Sequence, residues 1–296
     1  MGTIDDLSTE LAERVNQAAP FVVGIHTGHR PRSGILWRPD VVVVSEQMLP
    51  GKPSTLSVVR DGQTVGATLA GRDPSTNVAV LKLASPLEGA LPHAATEAPR
   101  VGSLALVLGA GTAGHPTARL ATVHEVGEAW HSMAGGRIDA LIRLDCRLSA
   151  DEGGPVLTPS GDLIGMSTSG PRRRTIVIPA ATVERAVDPL LTEGRIARGW
   201  LGVGLQPVMI PDGFRQSSGR ESGLMVVSLA SGAPAQLAGI LPGDIVLDID
   251  GIPVSRPRNL AAALGPDRIG QAVALRVLRA GAIQTISVTV AARPAS

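Results

Sequence analysis

Tyrosine is absent from this 296-residue chain, and its aromatic content rests on two Phe and three Trp. Each Trp therefore stands out: Trp37, in SGILW, reads as core, while Trp130, in the Gly-rich stretch EAWHSMAGG, is either loop packing or a partner contact. Cysteine occurs once, at Cys146, which excludes an intramolecular disulfide and a cysteine-based zinc site and suits a reducing compartment. Long apolar runs are missing too: no stretch reaches the roughly 18 residues that a spanning helix needs. The opening MGTIDDLSTELAERV carries acids and lacks the apolar run of a leader. A cytoplasmic placement without a membrane span is the resulting expectation. Charge of one sign is lacking as well, with 27 Lys and Arg against 26 Asp and Glu, so the basic surface of a nucleic-acid binder is excluded. The six histidines show no paired ligand spacing, and neither a metal nor a cofactor is expected.

What is present is a 44% hydrophobic chain with 35 Gly and 23 Pro, about twice a typical domain in length and able to bury a sizeable core. Leu7, Leu11 and Val15 recur at four-residue spacing and predict an amphipathic helix over about 4–18. Short β-branched runs bounded by Gly, Pro and Asp follow, among them FVVGIHTG, VVVVS, NVAVLKLA and TIVIP. That pattern reads as all-β, a barrel or a sandwich. ATVERAVDPLLTEG predicts a second helix over 181–194, stopped by Gly194. From Arg198 the pattern restarts with WLGVGLQPV and builds a compact second domain of five or six strands and two helices.

Six collinear landmarks then carry a resemblance: GILWRPDVVVVS, GRDPSTNVAVLKL, ALVLGAG, LIRLDCRLSADEGGPVLTPSGDLIGMSTS, IPAATVERAV and RGWLGV. In order and spacing the chain resembles the HtrA (DegP-like) trypsin-fold proteases over about residues 10–293, and its C-terminal part resembles their PDZ domain. The resemblance implies a mainly β fold: an N-terminal helical segment over 1–19, a chymotrypsin-like double β-barrel over 20–196 and a PDZ domain over 197–296.

The family cuts peptide bonds with a Ser nucleophile, a His base and an orienting Asp. Carried over position by position, the nucleophile falls on Glu152 within Ala150-Asp151-Glu152-Gly153-Gly154-Pro155, the base on Met48 to within one residue, and the orienting acid on Asn77 after Asp73-Pro74-Ser75-Thr76. A thioether moves no proton, an amide carries no charge to steady an imidazolium, and an ionised carboxylate attacks an amide poorly. The expectation is a non-enzymatic pseudoprotease, a protein-binding, scaffold or assembly subunit. A chaperone-like holdase and a hydrolase with rearranged chemistry are the alternatives. Glu152 itself either enters the former oxyanion hole, accepting N–H bonds from residues 150–154, or is a solvated loop residue.

In the PDZ part, Trp200-Leu201-Gly202-Val203 matches the loop that binds a terminal carboxylate. Val203 and Leu205 would line a peptide groove from a strand, and Leu260 and Leu264 would face it at i, i+4 spacing from a helix. The implied partner is a protein or its C-terminal peptide; the alternative is a groove that is structural or filled by the chain itself. Arg172, Arg173 and Arg174 are either a grip on an acidic partner or a solvated hairpin tip. Relatives that trimerise do so through aromatic contacts in the N-terminal segment, which here offers only Phe21; a homo-oligomer and a subunit of a hetero-complex both stay open.

Overall fold

The computed structural model describes residues 3–27, 32–51, 56–89, 91–132, 134–148, 152–170 and 174–294. The chain divides into two compact units, one comprising Met1–Ser132 and Arg137–Ile196, the other Met133–Gly136 and Ala197–Ser296.

The first unit opens with α1 (Thr3–Ala18), whose Leu11 and Val15 pack on the core while Ile4 and Leu7 stay exposed. Six strands follow: β1 (Val22–His26), β2 (Arg32–Arg38), β3 (Val41–Ser45), β4 (Leu56–Arg60), β5 (Gln63–Asp73) and β6 (Val78–Leu83). They close into an antiparallel barrel in the order β1-β2-β3-β6-β5-β4. Every residue of β3 is buried, which accounts for its unbroken valine run: β-branched side chains suit a strand that is covered on both faces.

The second barrel is built from β7 (Leu104–Ala110), β8 (Pro116–Gly127), β11 (Leu141–Leu144), β12 (Pro155–Leu157), β13 (Leu163–Ser169) and β14 (Thr175–Pro179), closed as β11-β14-β13-β12-β7-β8. The small hairpin of β9 (Trp130–His131) and β10 (Arg137–Ile138) is separate from it. Trp130 is half-buried, packs against the core and donates from Nε1 to the Ala140 carbonyl at 3.3 Å. Helix α2 (Ala180–Glu193) ends just before Gly194 and buries Val183, Ala186, Val187 and Leu190. Trp37 is 6% exposed, with Nε1 donating to Glu184 of α2 at 2.5 Å.

The second unit carries a sheet ordered β16-β17-β18-β20-β21, formed by β16 (Val203–Met209), β17 (Ser222–Leu229), β18 (Ile245–Ile249), β20 (Ala272–Arg279) and β21 (Ala282–Thr289). The short strand β19 (Ile252–Pro253) pairs with β18, and β15 (Gly199–Trp200) pairs with β22 (Ala291–Ala292). The predicted small helices are α4 (Pro234–Leu237) and α5 (Pro257–Ala263). A third, α3 (Asp212–Ser218), escaped the sequence reading; its polar DGFRQSS offers no apolar stripe to detect. Among the described residues no helix is long and apolar enough to cross a membrane.

Candidate functional site

In the barrel unit, the turn Glu46–Met48 at the end of β3 is held by the residue that precedes β6. The Asn77 backbone carbonyl accepts the Glu46 N–H at 3.1 Å, and its side-chain Oδ1 accepts the Gln47 N–H at 2.9 Å. Asn77 can do this because it sits at φ 58°, in the left-handed region that Asn tolerates better than most residues. The turn before it is tied by Asp73, whose buried carboxylate accepts from the Ser75 N–H and from the Ser75 and Thr76 hydroxyls. Arg72 reaches Glu46 from β5 and also donates to the Pro50 and Gly51 carbonyls.

Across the junction of the two barrels, Glu152 is 5% exposed. Its carboxylate accepts the Ser169 N–H at 3.0 Å, the Ser169 hydroxyl at 2.7 Å, the Thr168 hydroxyl at 3.3 Å and the Gln47 amide. Gln47 Nε2 also donates to Thr168 Oγ1 at 2.9 Å and to the Ser169 carbonyl at 3.0 Å. Asn77 Nδ2 donates to Thr168 Oγ1 at 2.6 Å and to Ser45 Oγ at 3.0 Å. Gly153 follows with no room for a side chain, since a Cβ there would stand 2.4 Å from the Ser33 carbonyl oxygen. Glu152 is thus a buried strut between the barrels, and its described donors come from residues 47, 168 and 169. Of the predicted oxyanion loop, 150–154, residues 150 and 151 lie outside the described residues.

Two of the three residues carried over from the resemblance, Asn77 and Glu152, therefore meet in one cluster through Thr168 and Gln47. Met48 is half-buried in the same turn, and Gln47 beside it supplies the side chain that reaches Glu152. Gln47, Thr168 and Ser169 were missed. Gln47 lies within the one-residue tolerance of the alignment, whereas Thr168 and Ser169 carry no signal beyond ending a strand with hydroxyls. Chemically the cluster offers one carboxylate, two amides and three hydroxyls in a connected hydrogen-bond network, buried at Glu152, Thr168 and Ser45 and open at Gln47. Arg172 and Arg173 lie outside the described residues; Arg174 is exposed, and its carbonyl accepts the Gly170 N–H.

The second unit holds a groove. Trp200, Leu201, Gly202, Val203, Leu205, Leu260 and Leu264 all line one cavity of about 340 Å³ between β16 and α5. Leu201, Leu260 and Leu264 belong to the buried core, and Val203 and Leu205 pack partly buried against it. Strand β16 is the edge of its sheet, so the backbone groups that do not pair with β17 face the groove. Gly202 shapes the loop at its end. Its φ is +76°, and an added Cβ would stand 2.1 Å from Ala233 Cβ, so glycine alone fits. The loop is pinned by its carbonyls: Leu201 accepts the Ala235 N–H at 2.9 Å and Gly202 accepts the Ala230 N–H at 2.8 Å. Arg258 and Arg293, which the sequence reading did not single out, also line the groove. Among the described residues no group of three or more His, Cys, Asp or Glu could hold a metal ion.

Residues 32–166 match the trypsin-like peptidase domain family and residues 199–290 match the PDZ domain family. A probable periplasmic serine endoprotease, DegP-like, of Brucella suis biovar 1 (strain 1330) is 31% identical over 274 residues, covering 88% of this chain and 52% of that protein. Its namesake in Rhizobium meliloti (strain 1021) is 29% identical over 279 residues, covering 90% of this chain and 54% of that protein. The chain thus spans about half the length of the curated relatives it matches. Among solved structures, the HtrA-type protease AlgW with tripeptide superposes with a TM-score of 0.74 at 25% identity, covering 97% of this chain and 98% of that one. The serine endoprotease from Yersinia pestis gives 0.73 at 22% identity, covering 96% and 98%, a likeness of fold.

Two expectations are corrected by these comparisons. The first held that the chain is not an enzyme; the relatives are named serine endoproteases and AlgW an HtrA-type protease, which points to a protease. The expectation rested on positions counted along the sequence, and the count chose Met48 where the folded turn presents Gln47 to Glu152. The second was cytoplasmic placement, which is overturned by relatives named as periplasmic. A lone cysteine forms no intramolecular disulfide in any compartment, so its scarcity never discriminated between them.

Proposed function

Because the chain belongs to the HtrA/DegP-like family of trypsin-fold proteases that carry a PDZ domain, we propose that it captures the C-terminal segment of a protein partner in the groove between β16 and α5, and that it does so in the periplasm. The carrying observation is the Gly202 loop. It turns its carbonyls into the fold toward residues 230 and 235 and closes one end of a groove whose flank is an open strand edge. An extended peptide would add to β16 as a further strand, its terminal carboxylate at the backbone N–H groups of the loop and its last side chain among Leu201, Leu260 and Leu264. The solved AlgW structure that holds a tripeptide supports this reading, as do the relatives' names for the compartment. The test is calorimetric titration of the whole protein with a peptide ending in Val or Leu, as the free acid and as the C-terminal amide. Saturable binding of the acid with loss of binding by the amide is expected; equal binding of the two would refute the reading.

A further inference from the structure

The relatives are named serine endoproteases, and the barrel unit holds a serine against the buried carboxylate of Glu152 that counting along the sequence passed over. Three hydroxyls belong to that cluster, those of Ser45, Thr168 and Ser169. Ser45 is 0% and Thr168 4% exposed, so neither can meet a substrate. Ser169 ends β13 and is only half-buried, which leaves its hydroxyl within reach of a molecule in the cleft.

The two oxygens of Glu152 have different surroundings. Oε1 accepts from the Gln47 amide, from the Thr168 hydroxyl at 3.3 Å and from the Ser169 N–H at 3.0 Å, and these bonds fix the carboxylate. Oε2 accepts from the Ser169 hydroxyl at 2.7 Å. The backbone holds the pair in place as well: the Gly153 N–H donates to the Ser167 carbonyl at 2.9 Å, and the Ser167 N–H donates to the Gly154 carbonyl at 2.9 Å. A hydroxyl in hydrogen-bond contact with a base, the base oriented by further groups, is the arrangement that activates a serine. Here the base is a carboxylate in place of an imidazole.

We propose that Ser169 is an acyl-accepting nucleophile with Glu152 as its general base, and that its substrates are carboxylic esters with a good leaving group. Ser169 Oγ attacks the ester carbonyl carbon while its proton passes to Glu152 Oε2. The bond from that carbon to the leaving oxygen then breaks, and Glu152 returns the proton to the departing oxygen. Water attacks the acyl group on Ser169 and gives a proton to Glu152; the bond to Oγ breaks, Oγ takes the proton back, and the free carboxylic acid departs. The exposed Gln47 amide, whose Nε2 donates to the Ser169 carbonyl at 3.0 Å, stands beside the developing oxyanion. Esters suit this pair better than amides, because an amide nitrogen must gain a proton before it can leave and an activated ester oxygen need not. The proposal concerns the barrel unit and does not rest on the groove of the second unit.

The experiment treats the whole protein with p-nitrophenyl acetate and, separately, with a fluorophosphonate, and locates the adduct by peptide mass mapping. An acetyl or phosphonyl group on Ser169 is expected, and it should be missing from Ser169→Ala. Release of p-nitrophenol should fall about a hundredfold or more in Glu152→Gln, with urea unfolding of that variant showing that it is folded. Because the adduct is mapped on the parent protein, the outcome does not depend on either variant. Absence of any adduct, or an adduct on Ser149 or Cys146 in place of Ser169, overturns the proposal. A folded Glu152→Gln that reacts as fast as the parent overturns it too, since the carboxylate is then no base.

Discussion

Replacing Glu152 with Ala removes the buried carboxylate that joins Gln47 to Thr168 and Ser169. The side chain is 5% exposed and accepts from the Ser169 N–H, the Ser169 hydroxyl, the Thr168 hydroxyl and the Gln47 amide. Gln47 keeps Thr168 and the Ser169 carbonyl as partners, and the Thr168 oxygen still accepts from Asn77. The Ser169 N–H loses the acceptor that Glu152 provides. Hydrogen bonds to charged groups contribute about 1.5–3 kcal/mol each, and an orphaned buried donor costs about 1–3 kcal/mol. Against this stands the relief of no longer burying a charge, several kcal/mol of desolvation. The net expectation is a loss of about 2–3 kcal/mol for Glu152→Ala and about half that for Glu152→Gln, whose amide oxygen still accepts the Ser169 N–H. The assay is urea unfolding in a Trp200→Phe background, where the remaining Trp37 and Trp130 both report on the barrel unit. A Glu152→Ala midpoint within about 0.5 kcal/mol of the parent would show that the network is not the strut described above.

Three further outcomes follow from the geometry. Gly202→Ala places a Cβ 2.1 Å from Ala233 Cβ at a φ of +76°; it should cost the second unit at least about 1 kcal/mol in thermal unfolding and weaken binding of a free-acid peptide. Arg279→Ala strips Asp244, which is 2% exposed, of a two-pronged partner at 2.7 and 2.6 Å; an uncompensated buried carboxylate should cost about 2–3 kcal/mol in urea, and Arg279→Lys should recover only part of it. Asp139 is disfavoured as a carboxylate by burial, yet the Arg185 guanidinium and the Thr182 hydroxyl outweigh that and hold its carboxyl below the usual carboxylate range. A lowered folded-state value means that its contribution is present above the unfolded value, about 4, and is lost as pH falls through the folded one. Asp139→Asn should therefore lower stability by up to about 1 kcal/mol at neutral pH, since Arg185 is half exposed. The gap should close on acidification well below pH 4; a gap unchanged there would refute the pairing.

Period and punctuation in the sequence were enough wherever apolar residues recur: the four-residue spacing of Leu7, Leu11 and Val15 became α1, and the valine run of β3 became a strand buried on both faces. That the seven residues would share one cavity was legible through the resemblance to a PDZ domain, with local support from the glycine of the loop and the i, i+4 spacing of Leu260 and Leu264. Helix α3 was not legible, having no apolar periodicity, and neither was the role of Gln47, Thr168 or Ser169. Those three meet Glu152 across 105, 16 and 17 residues of chain, and side-chain hydrogen bonds between strands leave no periodic trace in a sequence. Arg258 and Arg293 carry no local pattern either, and only the fold sets both along one groove. Sequence alone thus determined where helices and strands with an apolar period lie, since that follows local spacing, although Leu7 of the α1 stripe stays exposed. Only the tertiary structure decided which polar groups share a site, since that depends on where two closed barrels and a sheet edge bring distant residues together.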